Sequence, residues 1–108
     1  MQLKSLTTGF LLSLTLCSGP ALSAGDAAAG KLKAEACLGC HGITGYANVY
    51  PTYKVPMVGG QHAEYIVAAL KAYKSGQRNH KTMRSQAASL SEQDMADIAA
   101  YFAGTEQK

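Results

Sequence analysis

The sequence predicts a small all-α domain of three main helices joined by long loops. Two apolar stripes at helical spacing and one capped run of strong helix formers carry that expectation, and no stretch shows the strict alternation of a half-buried strand. Asp26 can cap the first helix, which runs through Ala27, Ala28 and Ala29 towards Cys37 with Lys31, Leu32, Lys33, Ala34, Glu35 and Ala36 as helix formers. Gly30 is out of place in it, since an interior glycine costs about 1 kcal/mol relative to alanine. Close approach by another element is the usual reason to keep one. A second helix fits His62 to Ser75, with Ala63, Ile66, Val67 and Leu70 at i, i+3, i+4 and i+7, Tyr73 extending the stripe and Gly76 able to end it. The third starts at Ser91, with Asp94 three residues on as a near capping box. Its stripe is Met95, Ile98, Ala99 and Phe102, and Gly104 stops it. His62, just before the second helix, reads as a surface or capping residue.

Residues 1–24 read as a secretory signal peptide that is removed. Lys4 supplies the charged start, Phe10 to Leu16 the short apolar run, and Ala21-Leu22-Ser23-Ala24 the small-residue cleavage zone, with the cut after Ser23 or Ala24. The apolar run falls short of the roughly 20 residues a spanning helix needs. Cys17 would leave with this segment; a lipid-acceptor role is the alternative, disfavoured by the bulky Leu16 before it. What remains, 25–108, is one module with two cysteines and no internal repeat. A formal net charge of +3 on 108 residues makes no basic stripe of the kind nucleic acid requires. The segments 42–61 and 76–90 read as loops, and loops that long are uncommon in so small a domain.

Cys37-Leu38-Gly39-Cys40-His41 explains them. C-x-x-C-H is the attachment pattern of c-type haem. Two sulfurs about one helical turn apart can form thioethers with the two vinyl groups on one edge of a porphyrin. His41, directly after, can then reach the iron from one side. A zinc site would need two further ligands, and the sequence holds no second C-x-x-C and no H-x-x-x-H. A thioredoxin-type redox pair would need a βαβ setting. One covalent haem c would also supply much of the core that a chain of this length lacks, and long loops make sense if they wrap it.

On these residues the chain resembles class I cytochromes c, in particular the cytochrome c4 halves and cytochrome c553-like proteins. The resemblance spans 25–108 and rests on Gly-Asp-Ala-Ala-Ala-Gly-Lys (25–31) leading to Cys-Leu-Gly-Cys-His-Gly (37–42), on Val-Pro-Met-Val-Gly-Gly-Gln (55–61), on Tyr73 to Arg78 running on to Met83, and on the run from Leu90 to Phe102. It implies a small class I cytochrome c fold, three main helices with long loops wrapping one covalently attached haem. It also implies that Gly30 and Tyr101 pack where the first and last helices cross, and that the Pro56 carbonyl accepts a hydrogen bond from the non-ligating nitrogen of His41. Val58 stands where the family often has leucine, and Met57 adds a sulfur nearby.

For the second axial position the resemblance points to Met83, in the loop before the last helix, whose neutral thioether would favour Fe(II). His80, three residues upstream, competes, and a bis-histidine site would lower the potential. Met57 lies on the side assigned to His41, and Met95 belongs to a helix stripe. Tyr53 and Arg78, with Tyr50 and Asn79, lie in the wrapping loops as candidates for the haem propionates. The implied function is an exported, periplasmic one-electron carrier, not an enzyme, with iron cycling between Fe(II) and Fe(III) and with redox proteins as donors and acceptors. It would be a monomer or weak dimer, without stable membrane insertion of the mature chain. A haem subunit of a larger periplasmic oxidoreductase is the first alternative, and a five-coordinate sensor or peroxidase-like protein the second.

Overall fold

The computed structural model describes residues 24–106. Apart from Ala24, the expected leader lies outside the described residues. The first helix, α1, spans Ala27–Lys33. The Asp26 carboxylate accepts the backbone N–H groups of Ala28 at 2.8 Å and Ala29 at 3.3 Å, so two of the donors stranded at a helix start are satisfied by the residue that begins it. The helix does not run unbroken to Cys37 as the sequence predicts. It turns at Ala34 (φ −82°, ψ −2°), and a separate helix, α2, covers Glu35–His41. Ala34 is fully buried in the core, and its carbonyl takes N–H groups from both Cys37 and Leu38. Tertiary packing thus overrides a run of good helix formers.

Helix α3 (Ala63–Ser75) and helix α5 (Glu92–Ala103) lie where the stripes put them. His62 is the N-cap residue of α3, exposed and without a capping hydrogen bond from its side chain. Gly76 ends α3 at φ 83°, a left-handed conformation that favours glycine. At α5 the capping box is complete: Ser91 Oγ accepts the Asp94 N–H at 3.0 Å and Asp94 accepts the Ser91 N–H at 2.9 Å. Helix α1 crosses α5, and Gly30 is the contact. A Cβ built on it would overlap the backbone carbonyl of Asp97 and come within 3.0 Å of the Tyr101 Cβ. Only glycine lets the backbones approach this closely.

The two long loops carry structure that the sequence analysis did not predict. Within 42–61, β1 (Ala47–Val49) pairs antiparallel with β2 (Thr52–Lys54), opposing Asn48 to Tyr53 and Val49 to Thr52. Within 76–90 lies a further helix, α4 (Lys81–Ala88), so Met83 sits on a helix and not in a loop. The core is small. Ala34, Ile66, Leu70, Ala87, Met95, Ile98, Ala99 and Phe102 are its buried apolar residues, drawn from α3, α4, α5 and the turn at Ala34. Among the described residues the architecture is mostly helical with one small hairpin, in keeping with the all-α expectation.

Candidate haem site

Helix α2 carries the cysteines. Cys37 and Cys40 are free thiols, both half-buried, and Cys37 packs against the core. Burial first, then the neighbouring Cys40, pushes the Cys37 thiol up from its ordinary range. That environment suits a neutral thioether better than a thiolate metal ligand. No group of three or more His, Cys, Asp or Glu is placed to hold a metal ion among the described residues.

His41 closes α2. Its Nδ1 lies 2.7 Å from the carbonyl oxygen of Pro56. With Nδ1–H donating there, Nε2 is the nitrogen with a free lone pair, and the bond orients the ring. Pro56 is itself held by its neighbours. The Gly60 N–H donates to the Phe102 carbonyl at 2.9 Å, and Gln61 N–H to Val58 at 3.1 Å. A side chain at Gly59 would meet Thr105 and Glu106 at 2.9 Å. The turn after Pro56 is therefore pinned to the end of α5. Met57 lines the same cleft as His41, with Leu38, Tyr101 and Phe102.

Met83 occupies the third position of α4, half-buried against the core. His80 is the N-cap of that helix, and its Nδ1 accepts the Met83 backbone N–H at 3.3 Å. The Tyr53 ring meets His80 edge-on at 4.7 Å, Tyr73 does so at 6.4 Å, and the Tyr53 hydroxyl lies 3.0 Å from Thr82 Oγ1. The Arg78 guanidinium stacks over Tyr73 at 4.7 Å and its Nη1 reaches the Tyr65 hydroxyl at 3.4 Å. Tyr50, at the hairpin tip, is 95% exposed.

The fit to a haem rests on these features. Two cysteines lie a helical turn apart, an imidazole has one nitrogen anchored and the other free, and half-buried apolar side chains border the core from separate elements (Cys37, Val58, Val67, Met83). Residues 27–106 match the profile of the cytochrome c family. The chain is a member of the cytochrome c family. It is 42% identical over 101 residues to cytochrome c4 of Pseudomonas aeruginosa, a match covering 94% of this chain and 48% of that one. It is 45% identical over 86 residues to cytochrome c-554(548) of Halomonas halodenitrificans, covering 77% of this chain and the whole of that one. This cytochrome thus spans about half of one relative and all of another. Among solved structures it resembles reduced recombinant cytochrome c4 from Pseudomonas stutzeri (TM-score 0.59, 27% identity, covering 80% of this chain and 53% of that one). It also resembles thiosulfate dehydrogenase (TsdBA) from Marichromatium purpuratum (TM-score 0.64, 31% identity, covering 82% and 21%). As in its family, the cofactor is a covalently attached haem c, and Cys37 and Cys40 fit its attachment motif.

A polar cluster also escaped sequence reasoning. Asp97 is buried in α5 at 4% exposure; it accepts the Asp26 N–H at 2.8 Å and Gln93 Nε2 at 2.9 Å, and pairs with Lys33 Nζ at 2.6 Å. Lys33 also pairs with Asp94 at 2.8 Å. This cluster locks α1 to α5 and so sets where α2 begins.

Proposed function

We propose that this cytochrome is an exported one-electron carrier with His41 and Met83 as axial ligands and Cys37 and Cys40 as the thioether residues. The haem supplies the chemistry, a change of one electron between Fe(II) and Fe(III). The chain supplies orientation. Pro56 O accepts a hydrogen bond from the Nδ1–H of His41, leaving Nε2 as the donor atom and raising its basicity. The single observation that carries the reading is this 2.7 Å contact, directly behind a C-x-x-C motif on one short helix. Met83 would add a neutral sulfur from another element, and with His41 and Met83 both holding the iron no position would be left on it for a substrate. Tyr53 and Arg78 are proposed to face the propionates. The leader at 1–24 would direct the chain to the periplasm, and among the described residues no helix is long and apolar enough to cross a membrane.

One absorption spectrum of the oxidised and reduced protein tests the ligand set. A weak far-red band of the oxidised form reports iron–thioether bonding, and Met83→Ala should abolish it, lower the potential and open the iron to carbon monoxide. Retention of the band in that variant would refute Met83. A second reading, as a haem subunit of a larger oxidoreductase, is favoured by the likeness to one-fifth of a thiosulfate dehydrogenase chain. Size-exclusion of the protein from its native source separates the two: a carrier elutes alone, a subunit with its partner.

A further inference from the structure

We propose that His80 is a positioning residue for Met83, acting as the cap of α4 and as the centre of an aromatic clamp that sets where the methionine sulfur stands. The proposal rests on the reading of Met83 as the second axial ligand. Histidine is not among the residues that favour an N-cap, yet here its Nδ1 accepts the N–H of Met83 itself. The ring is then held from two further elements. Tyr53 of β2 approaches its edge at 4.7 Å, and Tyr73 of α3 at 6.4 Å. The Arg78 guanidinium closes the row over Tyr73. The Tyr53 hydroxyl adds a second tie to the same turn through Thr82.

These contacts converge on the first turn of a helix with little else to hold it. Among its eight residues only Ala87 is buried. The strap before it is fixed by Arg78 N–H donating to Ala72 O at 3.0 Å, at the end of α3. His80 thus couples a short, weakly packed helix to the hairpin and to α3, and the coupled residue is the one bearing the thioether. An acceptor that bonds the Met83 N–H with Nδ1 has its lone pair engaged at the backbone. This accounts for a histidine three residues from the methionine without making it a ligand.

The test is a cyanide titration of the oxidised holoprotein, which reads how readily the thioether gives way to an external ligand. Loss of an N-cap acceptor should favour opening by about fivefold, the equivalent of about 1 kcal/mol. His80→Ala should therefore bind cyanide about fivefold more tightly than the parent. His80→Asn, which retains a capping oxygen, should return to within about twofold. Tyr53→Leu should shift in the same direction as His80→Ala, and it reads the same equilibrium if that variant gives no holoprotein. Ser91→Ala removes the cap of α5 and should lower the melting temperature while leaving cyanide affinity unchanged. Parent-like affinity in both His80→Ala and Tyr53→Leu would overturn the clamp, as would an equal gain in Ser91→Ala. Met83→Ala separates this from failure of the axial reading. If it keeps the far-red band, Met83 is no ligand and the clamp falls with it. If it loses the band while the His80 and Tyr53 variants bind cyanide as the parent does, only the clamp is wrong.

Discussion

Gly30 has no side chain to contribute, and the crossing of α1 and α5 depends on that. A leucine there must displace the Asp97 carbonyl and the Tyr101 side chain. Overpacking of this kind costs about 1–3 kcal/mol, and backbone is a harder neighbour to move than side chain. Thermal unfolding of the Gly30→Leu holoprotein should show a fall in melting temperature of several degrees or more, and an unchanged value would mean the helices do not depend on this contact. Cys37→Ala and Cys40→Ala each remove one thioether and should sharply lower the yield of holoprotein, read as haem absorbance per polypeptide. Residues whose role is local were legible in the sequence: Asp26 as a cap and Ser91 with Asp94 as a capping box each act within three positions. Asp97 was not. Its partners Lys33 and Asp26 lie 64 and 71 residues away, and no spacing rule reaches that far.

Between elements, the α1–α5 junction sets how the protein responds to acid. The Asp26 N–H, the Lys33 ammonium and the Gln93 amide hold the Asp97 carboxyl down to about 2, and Lys33 with the Ser91 cap holds Asp94 well below the usual carboxylate range. Carboxyls depressed on folding contribute stability that is complete above their unfolded pKa, about 4, and is lost as the pH falls from there towards the folded values. Melting temperature should therefore drop between about pH 4 and pH 2. Asp97→Asn should start lower and show a shallower drop. A variant with the parent's acid slope would show that the junction does not carry it. The elements that sequence reasoning missed share a physical cause. Each strand of the hairpin is three residues long, too short for alternation to show, and Val49 faces outward at 82% exposure. Helix α4 has no full apolar stripe, only Met83 and Ala87 four apart, and its cap is a histidine. The break at Ala34 comes from burial, which composition does not reveal.

At the scale of the molecule, a core of eight buried apolar side chains among the described residues, three of them alanine, leaves little to hold the chain together without its cofactor. A Cys37→Ala, Cys40→Ala double variant prepared without haem should give the circular dichroism of a largely disordered chain. A cooperative helical apo form would contradict this. Acid–acetone treatment of the holoprotein should leave the pigment on the polypeptide, and clean extraction would exclude thioether bonds.

The ion cluster at Asp97 also bears on the order in which this chain can be completed. It joins Asp26, near the start of the described residues, to a helix near their end, and the surface that α1 needs does not exist until Glu92–Ala103 has been made. A nascent or truncated chain that stops at Leu90 cannot form the Gly30 crossing, and it lacks the Phe102 carbonyl that anchors the Pro56 turn. In such a chain the C-x-x-C-H segment stays on open polypeptide, accessible to whatever joins haem to it. With a core this small, docking of the last helix depends on haem, so attachment comes before closure.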